Sequence, residues 1–225
     1  MSALPGAGGY ALRAARARAD IVLKVNRAAA WRSWGALEAR LERGELIALD
    51  GPTGTELAHR GVAEEAHWDG WPAQLGAAAA VRAVHAEYVR AGSNVVVANT
   101  YATNRHIMEH KGFHTAAGRM NTAVQSANTS AVALARDAAD AAAPRPDGPI
   151  LVAGSISNHL PSDAHWPSPE RELKSYREQA RALVYAGVDV IFIEMVQDAV
   201  HGDLAVRGAV EAGVPVVVGL TLDVA

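Results

Sequence analysis

Five short apolar runs, each closed by a polar or acidic residue and separated from the next by a longer helical pattern, restrict this chain to a parallel α/β arrangement. The first run, Leu46-Ile47-Ala48-Leu49, ends on Asp50 and turns through Gly51 and Gly54 into a polar segment that starts a helix. The second, residues 94–99, is β-branched and continuous, the pattern of a strand covered on both faces, and runs into the polar loop 100–104. The third covers 149–154 and is followed by Ser155-Ile156-Ser157-Asn158-His159. The fourth, 188–193, terminates on Glu194, and the fifth covers 215–220.

The intervening segments carry helical spacing. Residues 77–91 place Val81, Val84, His85 and Tyr88 on one face, and Gly92 is a stop signal. Residues 116–139 turn Met120, Val124, Ala127, Ala131 and Leu134 inward. Ser168, Pro169 and Glu170 form an N-cap, a first-turn proline and an acid at the positive helix end, and this helix continues through Leu173, Tyr176, Ala180 and Leu183 to Gly187. A last helix is expected over 204–212. Residues 143–148 read as a solvent turn, and 161–169 as an extended excursion.

Strands joined by helices lie parallel with right-handed crossovers, so their polar ends emerge on one side. Asp50, Asn99 with Thr100, Ser155 and Glu194 are therefore expected around a single pocket. No Gly-x-Gly-x-x-Gly pattern follows the first strand, which favours a (β/α) barrel over an open doubly wound sheet.

The length of 225 residues suits one sizeable core, read as a helical extension over 1–44 and a partial barrel over 45–225. The extension holds Arg13, Arg16, Arg18, Lys24, Arg27 and Arg32 against Asp20. Transit peptides share that composition, but no small-residue cleavage site follows an apolar core, which favours a plain helix. Residues 31–43 form an amphipathic helix with Trp34, Leu37 and Leu41 on one face, placed to plug the bottom of a barrel or to pack against its side. A net charge of −3 gives no reason to expect nucleic acid or an anionic membrane as partner. No apolar run approaches the roughly 20 residues of a membrane helix, and a cytoplasmic location is expected. Cysteine is absent, which excludes disulfides, thiolate nucleophiles and cysteine metal sites.

Ordered motifs carry a family likeness: Asp50-Gly51-x-x-Gly54-Thr55-Glu56-Leu57, Val84-His85-x-x-Tyr88-x-x-Ala91-Gly92, Asn99-Thr100-Tyr101, Gly154-Ser155-Ile156, Tyr176-x-x-Gln179, Gly187-Val188-Asp189 and Phe192-Ile193-Glu194. In order and spacing this chain resembles the homocysteine S-methyltransferase family from about residue 45 onward. The resemblance implies a (β/α)8 barrel of the TIM type, C-terminally truncated, with five of eight βα units present. It implies methyl transfer to the thiol of homocysteine to give methionine. Asp50 and Glu194 would hold the amino acid's ammonium group, and backbone N–H groups around Gly51 and the Asn99-Thr100 turn would face its carboxylate.

The departures concern chemistry. The family activates homocysteine with zinc held by three cysteines, one after the sixth strand and a pair after the eighth, and this chain has none. Ala98 stands where the family has threonine, Ser157-Asn158 replaces Gly-Pro, and Met195 replaces a threonine after the glutamate. His106, His110 and His114 recur every four residues, a spacing able to bind metal on a helix, but Gly112 interrupts it and exposed histidines are expected. His159 and His165 are read the same way, so no metal ligand is assigned. The expected outcomes are thus an incomplete or inactive methyltransferase domain, or a zinc-free remnant that binds an amino acid or small thiol. Open sheet edges invite self-association or a complementing chain.

Overall fold

Four strands and one bridged segment pair in chain order, all parallel. The computed structural model describes residues 7–62, 76–112, 119–158, 160 and 165–222, with side chains from residue 15 onward except those of 119 and 121. The elements are α1 (Ala7–Glu42), α2 (Thr53–His59), α3 (Ala78–Ala91), β1 (Val95–Ala98), α4 (Arg105–His110), α5 (Arg119–Asp140), β2 (Leu151–Ser157), α6 (Pro169–Ala186), β3 (Val190–Val196), α7 (Ala199–Val210) and β4 (Val216–Leu220). The sheet order is β1-β2-β3-β4. Every pairing is parallel, as the helical crossovers require.

The first apolar run lies beside β1 but makes only the single bridge Leu49–Val95. Main-chain bonds Asn94 N–H to Ala48 O (2.7 Å) and Asp50 N–H to Val95 O (3.1 Å) hold it. Asn94 adds a side-chain bond, its Oδ1 accepting from Ala48 N–H at 3.0 Å. Among the described residues no strand pairs with its other side, and Leu46 and Leu49 are 93% and 51% exposed. At the opposite edge Leu220 is 65% exposed. The arrangement is a parallel, sequential, incomplete sheet of the TIM-barrel type.

Side chains alternate along the strands with period two. Val96, Val152, Ile156, Ile191 and Ile193 face the helices in the main core with Tyr176, Leu183 and Leu204. Val95, Leu151, Ala153 and Val190 face the other way and pack with Leu37 and the partly buried Trp34 of α1, alongside Val97, Phe192 and Val217. Each buried Leu-sized side chain in such a layer contributes about 1.5–3 kcal/mol.

The helix α1 is one continuous element rather than an extension followed by a short amphipathic helix, and it crosses the N-terminal ends of the strands. Asn26 Nδ2 donates to Val184 O at 2.8 Å and Tyr185 O at 3.0 Å, satisfying carbonyls at the end of α6. Arg27 Nε donates to Ala212 O at 2.6 Å, and Trp31 Nε1 to Gly213 O at 3.0 Å. Of the two placements open from sequence, the bottom of the sheet is the one adopted. Leu41 does not join that contact and is 48% exposed, because the face meeting the sheet is set by Trp34 and Leu37.

Strand and helix limits differ from expectation at three places. The strand β2 continues through Ser155 to Ser157, and β3 through Glu194 to Val196. The helix α7 begins at Ala199, before the expected 204, because Asp198 caps it, Oδ1 accepting from Val200 N–H and His201 N–H at 2.9 and 2.8 Å. Among the described residues no helix is long and apolar enough to cross a membrane.

Candidate functional site

A cleft of about 760 Å³ opens at the C-terminal ends of the strands, on the side away from α1. Its walls include Asp50, Gly51, Asn99, Tyr101, Ser155 and Glu194, with Phe192 and Val217 beneath. Thr53, Gly54 and Thr55, the first turn of α2, form one rim.

Asp50 reaches the cleft because the first run ends there. Its carboxyl is 2% exposed, and Oδ2 accepts a hydrogen bond from Val97 N–H at 2.9 Å. Burial pushes its pKa up to about 7; the Val97 N–H opposes this, and the nearby Glu194 carboxylate adds to it. Glu194 is also pushed above the usual carboxylate range by burial, with Ser155 pulling the other way. These two acids, far apart in sequence, therefore share one desolvated space.

The backbone at Glu194 is irregular. The β3–β4 register shifts between Ile193 and Val196, and Met195 takes φ 55°, a left-handed conformation costly for a side chain of its kind. The bulge turns Glu194 into the cleft while Met195 meets Tyr101, whose hydroxyl lies 3.3 Å from Sδ. Gly51 is fixed by a different constraint. A Cβ there would sit 2.5 Å from the Tyr88 hydroxyl, so any larger residue in the turn after Asp50 would displace the Tyr88 ring of α3.

Thr100 is not a cleft wall. It is fully buried, its N–H donates to Ala98 O at 2.7 Å, and its hydroxyl donates to Ser155 O and accepts from Ser155 N–H at 2.8 and 2.9 Å. It ties β1 to β2 behind the site. Gln179 completes that tie from α6: Nε2 donates to Thr100 O at 2.7 Å, to Thr103 Oγ1 at 3.1 Å and to Ser155 O at 3.2 Å. Asp189 does similar work lower down, where Oδ2 accepts from Val152 N–H at 2.9 Å and pairs with Arg136 at 2.6 Å. Sequence reading placed Gln179 in a motif without assigning it a task.

His85 is the second residue whose place the sequence did not show. It is fully buried on α3, with Nδ1 4.0 Å from Asp50 Oδ2. Desolvation pushes its pKa down to about 4, so it is neutral near pH 7.

The remaining histidines lie elsewhere. His106 is buried rather than exposed, its Nδ1 2.9 Å from Ser175 Oγ and its ring edge-on to Tyr176 at 5.2 Å, because α4 folds back against α6. With His110 and His165 it lines a separate cleft of about 350 Å³. His114 and His159 lie outside the described residues. Among the described residues no group of three or more His, Asp or Glu has the arrangement of a metal site, and the sequence contains no cysteine. The donor set implied for zinc does not fit the residues of this chain.

A sequence profile described as Homocysteine S-methyltransferase matches residues 47–225. Betaine–homocysteine S-methyltransferase 1 of Danio rerio is 30% identical over 188 residues, covering 84% of this chain and 44% of that protein. The same enzyme of Sus scrofa is 31% identical over 182 residues, covering 81% of this chain and 61% of that sequence. In fold, the chain is similar to the metallated form of the homocysteine methyltransferase MmuM from Escherichia coli, with a TM-score of 0.66 and 23% identity. That match covers 80% of this chain and 65% of MmuM. This chain thus spans less than two thirds of the length of each of these relatives.

Proposed function

The chain belongs to the homocysteine S-methyltransferase family, and from that premise we propose that its strand-end cleft binds the amino-acid portion of homocysteine. Asp50 and Glu194 take the ammonium group, and the main-chain N–H groups of the Gly51–Thr55 turn face the carboxylate with Asn99 beside them. The thiol lies toward the open side of the sheet, where a methyl group is transferred to give methionine. The observation that carries this reading is the pairing of two carboxyls in one desolvated cleft, both pushed up by burial. Among the described residues neither is paired with an arginine or lysine, so a cationic ligand supplies the missing charge.

Activation of the thiol needs groups beyond this set. A thiol is a weak nucleophile until its proton is lost, and the cysteines that hold zinc in the family have no counterpart here. The chain is accordingly read as an amino-acid-binding unit, with the thiol-activating group not supplied by this cysteine-free sequence. The cysteine-free composition favours one second reading, a remnant that binds the amino acid and does not turn it over.

Calorimetric titration with L-homocysteine and L-methionine, with and without zinc, tests the binding. The wild-type chain is expected to bind both independently of zinc, and Glu194→Ala to lose at least about tenfold in affinity. Unchanged affinity in Glu194→Ala removes the assignment. No methyl transfer from betaine or S-methylmethionine is expected of the chain alone; measured turnover would refute that part.

A further inference from the structure

We propose that His85 is a positioning residue for Asp50: in the occupied cleft its imidazole donates Nδ1–H to Asp50 Oδ2 and holds that carboxylate against the ligand's ammonium. The inference rests on the reading that Asp50 takes the ammonium group.

His85 is fully buried, and among the described residues neither Nδ1 nor Nε2 has a hydrogen-bond partner. Leaving such groups unpaired costs about 1–3 kcal/mol each, so a ring kept only to fill space would be cheaper as phenyl. Its neighbours on the same helix, Val81 and Val84, pack into an apolar cluster with Leu57 and Leu134 and offer no donor or acceptor. Asp50 Oδ2 lies 4.0 Å from Nδ1, about 1 Å beyond hydrogen-bond range. Oδ2 accepts one bond from Val97 N–H and has a second lone pair free to accept another.

The charge on Asp50 sets how strongly it draws such a donor. Asp50 faces Glu194 from β3 and His85 and Tyr88 from α3; beyond Tyr88 lie Glu56, Arg60 at the end of α2, and Glu87, where Arg60 is paired with both acids. The groups facing Asp50 directly are acidic or neutral near pH 7, so Asp50 is partly protonated there and has little pull on a neutral N–H donor. An arriving ammonium drives the Asp50 proton to solvent. The carboxylate left behind accepts charge-assisted bonds, which are shorter and about twice as strong, and the imidazole closes onto it. His85 stays neutral throughout.

Titrations of the full chain with L-methionine between pH 5.5 and 9 test this on wild type, His85→Phe, His85→Asn and Asp50→Asn. The Phe variant keeps the ring volume and lacks the donor, whereas Asn restores an N–H near the position of Nδ1. Expected is a roughly tenfold loss for His85→Phe at pH 7, with the midpoint of the pH-dependent affinity raised by about one unit. His85→Asn brings the midpoint back toward wild type. A His85→Phe variant whose midpoint matches wild type overturns the proposal, whatever its affinity, while loss of binding in Asp50→Asn leaves the ammonium reading standing. Wild-type affinity in Asp50→Asn instead removes that reading, and this one with it. Nitrogen-15 spectra of the wild-type imidazole give a check free of folding defects. The Nδ1–H tautomer is expected in the methionine-saturated chain, and the Nε2–H tautomer there overturns the assignment.

Discussion

Asp50 is held in the fold at a cost that depends on pH. Its pKa moves from 3.8 to about 7 on folding, so between those values the folded chain retains a proton that the unfolded chain has released. Stability from this group is therefore complete below about pH 4, falls as pH rises through 7, and is level above it. Full ionisation corresponds to a loss on the order of 4 kcal/mol. Asn at this position still accepts from Val97 N–H and carries no charge. Asp50→Asn is expected to raise stability at pH 8 by about 1–3 kcal/mol and to change little at pH 4. Urea denaturation at the two pH values measures this, and equal midpoints for both chains at pH 8 would contradict it. A site residue that weakens its own fold is the usual mark of a group kept for its ligand. Met195 at φ 55°, one residue from Glu194, belongs to the same class of local strain.

At the level of elements, the strand ends are held by a buried polar tie as well as by the ladder. Gln179 bonds Thr100 O, Thr103 Oγ1 and Ser155 O at once, joining α6 to the loops after β1 and to β2. Gln179→Leu takes one donor from each of those buried acceptors, leaving Ser155 O the Thr100 hydroxyl and Thr100 O its bonds from Thr103, and is expected to destabilise the chain by about 1–2 kcal/mol. A change under about 0.5 kcal/mol in thermal or urea unfolding would mean the tie contributes little. The helices and apolar runs were legible because period 3.6 and short β-branched stretches record burial directly. Their ends were less so. Ser155 to Ser157 and Glu194 to Val196 are polar or irregular yet remain in strands, since the neighbouring strand supplies the partners. The first run reads as a strand of ordinary composition, yet it makes a single bridge to β1 and, among the described residues, has no neighbour on its other side. Asp50, Asn99, Ser155 and Glu194 were visible as strand-end residues. His85 and Gln179 were not, because each sits at ordinary helical spacing and only the folded chain brings it behind the cleft. Thr100 had the right position and the opposite orientation.

For the molecule as a whole, both sheet margins carry exposed apolar side chains. Leu46 and Leu49 lie along one and Leu220 along the other, with Leu222 just beyond it 77% exposed. Unpaired main-chain groups beside apolar side chains favour strand-to-strand association. The isolated chain is expected to grow in mass with concentration in light-scattering chromatography, and the double substitution Leu46→Lys, Leu220→Lys to reduce that growth. A wild-type monomer at every concentration would count against it. The long helix beneath the sheet has a temporal consequence as well. Asn26, Arg27 and Trp31 find their acceptors 158 to 185 residues later. That helix is synthesised well ahead of its berth and must stay undocked, its greasy flank uncovered, while the strands above it are assembled. Contacts of such sequence separation form slowly, so this keel is laid first and fastened last, and a chaperone's opportunity lies in that interval.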